Sequence, residues 1–151
     1  MDIYERLKKD HDKQRELGKK IVETQGDSDD RRELWEAYKV ELEAHASAEE
    51  QTFYAELMAC PEASDQTRHS VSEHKEAADL VEEIDKLDMA SPQWLQKFKQ
   101  LKHDIEHHVD EEEADVFPLA KKHISSTTAD DLAARFNDRK PSEKENERDA
   151  A

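Results

Sequence analysis

The sequence predicts an all-α protein: an up-down-up-down four-helix bundle followed by a short C-terminal helix and a disordered tail. Three observations predict it. There are only 2 Gly and 4 Pro among 151 residues, too few for the turns that hairpins and many short strands require. The apolar residues recur every three or four positions through long runs, the period of a helix buried along one face. Short turn signals separate the runs, and long helices joined by short turns pack antiparallel.

The first helix is expected from about Asp2 to Thr24, ending at Gly26-Asp27-Ser28, where glycine offers a C-cap and the small polar residues an N-cap. The second runs from about Asp29 to Ala59 and stops at Cys60-Pro61. The third covers about Ser64 to Leu87. The fourth starts with Ser91 as N-cap and Pro92 as first helical residue, and reaches about His123, with a bend expected near Pro118. Residues 1–124 therefore form the bundle. Residues 125–140 form a short segment with a helix from Ala129 to about Arg139. Residues 141–151 hold no apolar side chain larger than alanine and are expected to be disordered.

Charge narrows the function. With 39 Asp and Glu against 23 Lys and Arg, the net charge is -16, which repels phosphate backbones and anionic lipid and favours cations. Nucleic acid and membranes are therefore not expected as partners. No stretch approaches a membrane span and the first residues lack the apolar run of a signal peptide, so a cytoplasmic location is expected. A single cysteine, Cys60, excludes an internal disulfide and a cysteine-rich metal site.

The inward stripes carry the chemistry. On the first helix the stripe reads Ile3, Leu7, His11, Gln14, Leu17, Ile21; on the second, Leu34, Tyr38, Leu42, His45, Glu49. The third gives Val71, His74, Val81, Ile84, and the fourth Phe98, Leu101, Ile105, His108, Glu112, Val116. Each helix thus sets one histidine inside an apolar stripe, and two helices add a glutamate one turn later. Burying these groups without a partner costs several kcal/mol each. No Lys or Arg stands at the same level of the four stripes, and a bound metal resolves the conflict. Imidazole with carboxylate suits iron, zinc, manganese or nickel.

The pattern occurs twice. His45-x-x-x-Glu49-Glu50 with Tyr54 matches His108-x-x-x-Glu112-Glu113 with Phe117. Spacing i,i+4 turns histidine and glutamate to the same side of a helix. With Asp10-His11 on the first helix and Glu73-His74 on the third, residues 1–124 resemble the hemerythrin-like, or HHE cation-binding, domains. That resemblance implies His11, His45, His74 and His108 as terminal ligands of two iron ions in an oxo- or hydroxo-bridged centre, with Glu49 and Glu112 bridging; zinc or manganese would accept similar donors. It further implies a protein that binds or senses O2, NO or peroxide, with roles in iron homeostasis or oxidative and nitrosative stress. The alternatives are a di-iron oxidoreductase consuming peroxide or NO, and a metal-free acidic helical interaction protein. Six ligands fill about eight of roughly twelve positions on two six-coordinate irons, leaving room for an exogenous ligand. The chain departs from the oxygen-carrying members on the third helix, where Ser70 and Ala78 occupy the turns beside His74 and no second histidine follows.

Other conspicuous residues have plainer readings. His69, His103, His107 and His123 are expected at the surface, with an accessory metal site as the alternative for the pair His103 and His107. Trp35 and Trp94 are packing residues, as are Tyr54 and Phe117, which lie about 180° from their histidines on an ideal helix. Cys60 is an incidental thiol.

Overall fold

The computed structural model describes the backbone of residues 1–150 and the side chains of residues 1–141. Its described residues are helical with no strand. Helix α1 spans Ile3–Val22, begun by Asp2, whose carboxylate accepts from the Glu5 amide at 2.9 Å. Gly26, at φ 57°, makes the left-handed turn that a Cβ would oppose. Helix α2, Asp29–Glu49, is capped by Ser28, which accepts from the Arg31 amide at 3.1 Å. It runs into a π-helical segment, Glu50–Tyr54, and a short helix α3, Ala55–Met58.

Helix α4 spans Ser64–Asp85 and α5 spans Pro92–Glu111, the latter with Ser91 capping and Pro92 in the first turn. A second π-helical segment, Glu112–Val116, leads into α6, Phe117–His123. The irregularity expected at Pro118 thus lies just ahead of it. Pro118 has no N–H for the carbonyl four residues back, and the widened turn absorbs the lost bond.

Helix α7 differs from expectation. It spans Ser126–Ala150 and continues through Pro141 rather than stopping before it. The disordered tail expected over 141–151 falls largely on side chains, and on residue 151, that lie outside the described residues; the helix carries the backbone to Ala150. This helix packs along α1 and α2. Ala129, Leu132 and Phe136 are buried in the core, and the Arg6 guanidinium lies over the Phe136 ring at 4.8 Å while donating to Asn137 at 2.5 Å.

The apolar interior has two clusters. One, built on Ile21, Trp35, Tyr38, Ile84, Trp94, Phe98 and Leu101, fills the end of the bundle where α1 closes and α5 begins. The other, built on Ile3, Leu7, Phe53, Leu57, Val116, Leu132 and Phe136, fills the opposite end and includes α7. Trp35 and Trp94 pack edge to face at 5.5 Å, as packing residues do. The polar level described next lies between the two clusters.

Candidate metal centre

His11 from α1, His45 and Glu49 from α2, His74 from α4, His108 from α5 and Glu112 at the α5 end converge on one point. Glu49 and Glu112 are completely buried, and the side chains of His11, His45, His74 and His108 are 1%, 6%, 9% and 8% exposed. The Nε2 atoms all face the two carboxylates. His11 Nε2 is 3.2 Å from Glu112 Oε1 and His108 Nε2 is 3.7 Å from Glu112 Oε2. His74 and His45 place Nε2 at 3.2 and 3.6 Å from Glu49 Oε1. Glu112 thus shows one oxygen to each of two imidazoles. Donor atoms of His11, His45 and Glu49, and again of Glu49, His74 and His108, approach within 4.8 Å of one another, as groups able to hold a metal ion do.

The outward nitrogens are all taken. Nδ1 of His45 pairs with Asp10 at 2.7 Å, His108 with Glu73 at 2.9 Å, His74 with Glu50 at 2.9 Å and His11 with Glu113 at 2.7 Å. A carboxylate only accepts, so each Nδ1 carries the hydrogen and each Nε2 in a neutral ring presents its lone pair inward. The arrangement is two-fold. The acidic residue preceding the histidine on α1 or α4 holds the imidazole 35 residues later in both cases, and the second glutamate of each Glu-Glu pair holds the imidazole on the remaining helix.

Electrostatics in the metal-free centre follow from burial. Burial alone would lower the His11 imidazole, but the adjoining carboxylates of Glu112 and Glu113, with Glu49 beyond them, push it up to about 10. Burial lowers His45, opposed by its bond to Asp10. Burial and the neighbouring charge of Glu112 raise Glu49 well above the usual carboxylate range, whereas Glu112, despite its burial, is held well below it by His11. One proton is thus kept on Glu49 and one on His11 among groups that cannot all ionise in an apolar setting. His11 Nε2, both oxygens of Glu49 and Oε1 of Glu112 are buried without a hydrogen-bond partner. Natively folded chains leave few such atoms unsatisfied, and here all four point at one place. A cation between them satisfies all four, so the donor set fits a metal.

Two residues depart from what the sequence leads one to expect. Tyr54 is no mere packing residue: its hydroxyl donates to Glu112 Oε2, and its ring stacks on His74 at 5.3 Å. The π-helical segment explains this, because an i→i+5 turn advances each residue by less than an α-turn, and five residues accumulate a deficit of roughly a quarter turn. Ideal-helix spacing aims Tyr54 away from the site; the widened turn swings it in. The second is Lys140 on α7. No cation stands in the four stripes, yet Lys140, 4% exposed, donates to Asp10 at 2.8 Å and Glu41 at 2.5 Å, and Asp10 in turn holds His45. A lysine in a polar segment beside a proline gives no sequence signal of burial.

The other histidines lie apart. His103 and His107 are exposed and do not join the centre. His69 and His107 each lie 3.4 Å from Glu111 at the surface. Cys60 is half-buried near the Glu56 carbonyl. Among the described residues no helix is long and apolar enough to cross a membrane.

Comparison with known proteins gives a consistent picture. The Hemerythrin HHE cation binding domain family matches residues 2–120. An uncharacterized protein of Mycobacterium tuberculosis, Rv2633c, is 25% identical over 137 residues, covering 90% of this chain and 83% of its own. A DNA nickase of Nostoc is 26% identical over 136 residues, 90% of this chain but 38% of its own. Among solved structures, an HHE cation binding domain-containing protein from Mycobacterium kansasii, a homolog of Rv2633c, superposes with a TM-score of 0.87 at 24% identity, covering 97% of this chain and 89% of that one.

Proposed function

Because this chain belongs to the hemerythrin HHE cation-binding domain family, we propose that it is a non-haem di-iron protein that binds or senses O2, NO or peroxide. One observation carries the reading: four imidazoles with clamped Nδ1 atoms turn Nε2 onto two fully buried carboxylates whose oxygens lack protein partners. His11 and His45 would hold one ion and His74 and His108 the other, with Glu49 and Glu112 between them. Bound there, iron supplies an exchangeable coordination position for a small oxygen or nitrogen ligand.

The protein's own residues do the rest. Asp10, Glu50, Glu73 and Glu113 fix the tautomer and orientation of the imidazoles. The two apolar clusters pack the bundle on either side of the level of the carboxylates. Tyr54 keeps a proton at its hydroxyl, since burial and the charges of Glu112 and Glu49 raise it well above the ordinary phenol range.

That proton favours a second reading, a di-iron oxidoreductase that consumes peroxide or NO. A buried hydroxyl fixed against one of the two carboxylates is placed to orient that carboxylate and to hydrogen-bond a small polar substrate beside it. Protein purified without chelators separates the cases. About two equivalents of iron with near-UV charge-transfer bands support the first reading, and their joint absence overturns it. Peroxide or NO loss above that of free iron, reduced in Tyr54→Phe, selects the second.

A further inference from the structure

A cleft of about 540 Å³ opens between α2 and α4 and reaches the candidate metal centre, with His45, His74 and His108 among its lining residues. Its walls are apolar, formed by Leu42, Val71, Ala77, Val81, Ile105 and Val109. The opening follows from the packing: α4 lies closely against α5 and touches α2 only sparsely. One turn beyond His74 the residues facing the gap are Ala77 and Ala78, too small to close it.

Size decides against a diatomic molecule as sole occupant. A water takes roughly 30 Å³ of liquid volume, so O2, NO or H2O2, each about the size of one or two waters, would use roughly a tenth of this space or less. Pockets of roughly 300 to 1,000 Å³ enclose whole organic ligands. A second observation points to the chemistry of the ligand. Gln14, from α1, lines the same cleft, is 3% exposed, and its amide Nε2 is buried without a hydrogen-bond partner. Such a donor waits for an oxygen acceptor, and an acceptor on a bound molecule removes the cost of leaving it unpaired. Glu43 and Glu50 line the cleft together with Lys75, whose ammonium pairs with Asp79 at 3.5 Å, and within a chain of net charge -16 the balance disfavours an anionic head.

We propose that the cleft binds an organic molecule with an apolar body of about ten carbons and a neutral oxygen head, the chemistry of an alkyl hydroperoxide, with the head accepting from Gln14 beside the centre. This deepens the reading of the cluster as a metal site and rests on it. Binding alone is assigned. The apolar body lies along Val71, Ala77, Ala78 and Val81, and the oxygen end faces His74 and His108.

Unreactive primary alcohols of six, eight and ten carbons serve as probes, titrated calorimetrically into purified metal-containing protein, with decanoate as the anionic comparison and azide as a small ligand of the metal. The expected result is one site that tightens about fourfold per methylene, with decanoate weaker than decanol. Gln14→Leu weakens decanol about tenfold. Ala78→Trp, at an exposed position, weakens it at least as much by filling the cleft. Neither changes the metal content or the helical circular dichroism. Affinity independent of chain length, no effect of Ala78→Trp, or a dimer in sedimentation that covers the cleft and excludes decanol each overturns the proposal. Protein that holds two metals and binds azide but no alcohol overturns the cleft alone. Protein that holds no metal overturns the reading of the centre.

Discussion

The two halves of the candidate metal centre use the same residues in the same order and end in different surroundings. On the α1 and α2 side, His45 is backed by Asp10, which is 3% exposed and held by Lys140 and Arg6 at 2.8 and 2.6 Å, and the Phe136 ring of α7 lies 5.6 Å from the imidazole. On the α4 and α5 side, His74 is backed by Glu50, whose side chain is 38% exposed, and the cleft runs to His74 and His108. One half is backed by a helix that lies outside the residues matched to the family, and meets the cleft at His45; the other faces the cleft with both of its imidazoles. The second difference is a single oxygen: Tyr54 bonds to Glu112, whereas Phe117, its counterpart in the repeat, stacks on His11 at 6.2 Å with no hydroxyl to offer. A repeated set of candidate ligands therefore builds two similar halves, and their unequal surroundings make one more accessible than the other.

The comparison breaks most visibly if the ligands themselves are removed. His74→Ala and Glu112→Ala are expected to lower metal content by tenfold or more, while His123→Ala, far from the centre, leaves it unchanged. Equal retention by all three, measured by metal analysis, removes both halves at once. Next in size, Asp10→Asn is expected to cost about 10- to 100-fold in metal affinity, more than Glu50→Gln, because Asp10 is buried and its charge is also shared with Lys140, which then keeps only Glu41 as a charged partner. Chelator competition reads both, and parity between them erases the distinction between the two sides.

Acidity gives a graded test. The metal-free His11 stands at about 10 against 6.5 in an unfolded chain. A raised value means that the fold favours the proton. This contribution to stability is complete below about pH 6.5 and is lost as the pH climbs through about 10. A metal must displace the same proton, so apparent affinity rises by up to about tenfold per unit from pH 7 towards 10. Competition titrations at pH 7, 8 and 9 check the slope; a flat profile shows that no proton held at His11 opposes the metal over that range. The smallest effect is Tyr54→Phe, which removes one hydrogen bond to a buried carboxylate and is expected to lower the stability of the metal-free protein by about 1.5–3 kcal/mol. Thermal unfolding of Tyr54→Phe at several pH values shows whether that loss depends on the ionisation of Glu112, with Phe117→Leu, which removes no hydrogen bond, as the control for lost packing.

Much of the fold and of the candidate ligand set is legible in the residues alone. Ser28, Ser91 and Pro92 mark helix starts because capping is local, satisfied by atoms three residues away. The positions of His11, His45, Glu49, His74, His108 and Glu112 follow from the 3.6-residue period, which sets a side chain's direction wherever the helix is regular. Where the helix is irregular, the period misleads. Tyr54 follows a widened turn, and its direction depends on a hydrogen-bond register that composition does not announce. The doublets Glu49-Glu50 and Glu112-Glu113 are visible as pairs, but the second member of each reads as solvated surface until the neighbouring helix places an imidazole against it.

The sequence by itself determined the bundle, the inward histidines and the duplicated His-x-x-x-Glu motif, because helical periodicity is a property of neighbours along the chain. Only the tertiary structure decided which carboxylate clamps which imidazole, that Lys140 returns from the far end of the chain to hold Asp10, and that one half of the centre is backed by α7 while the other faces the cleft with both of its imidazoles. Those are relations between helices, fixed by how their faces pack, and nothing within a single helix records them.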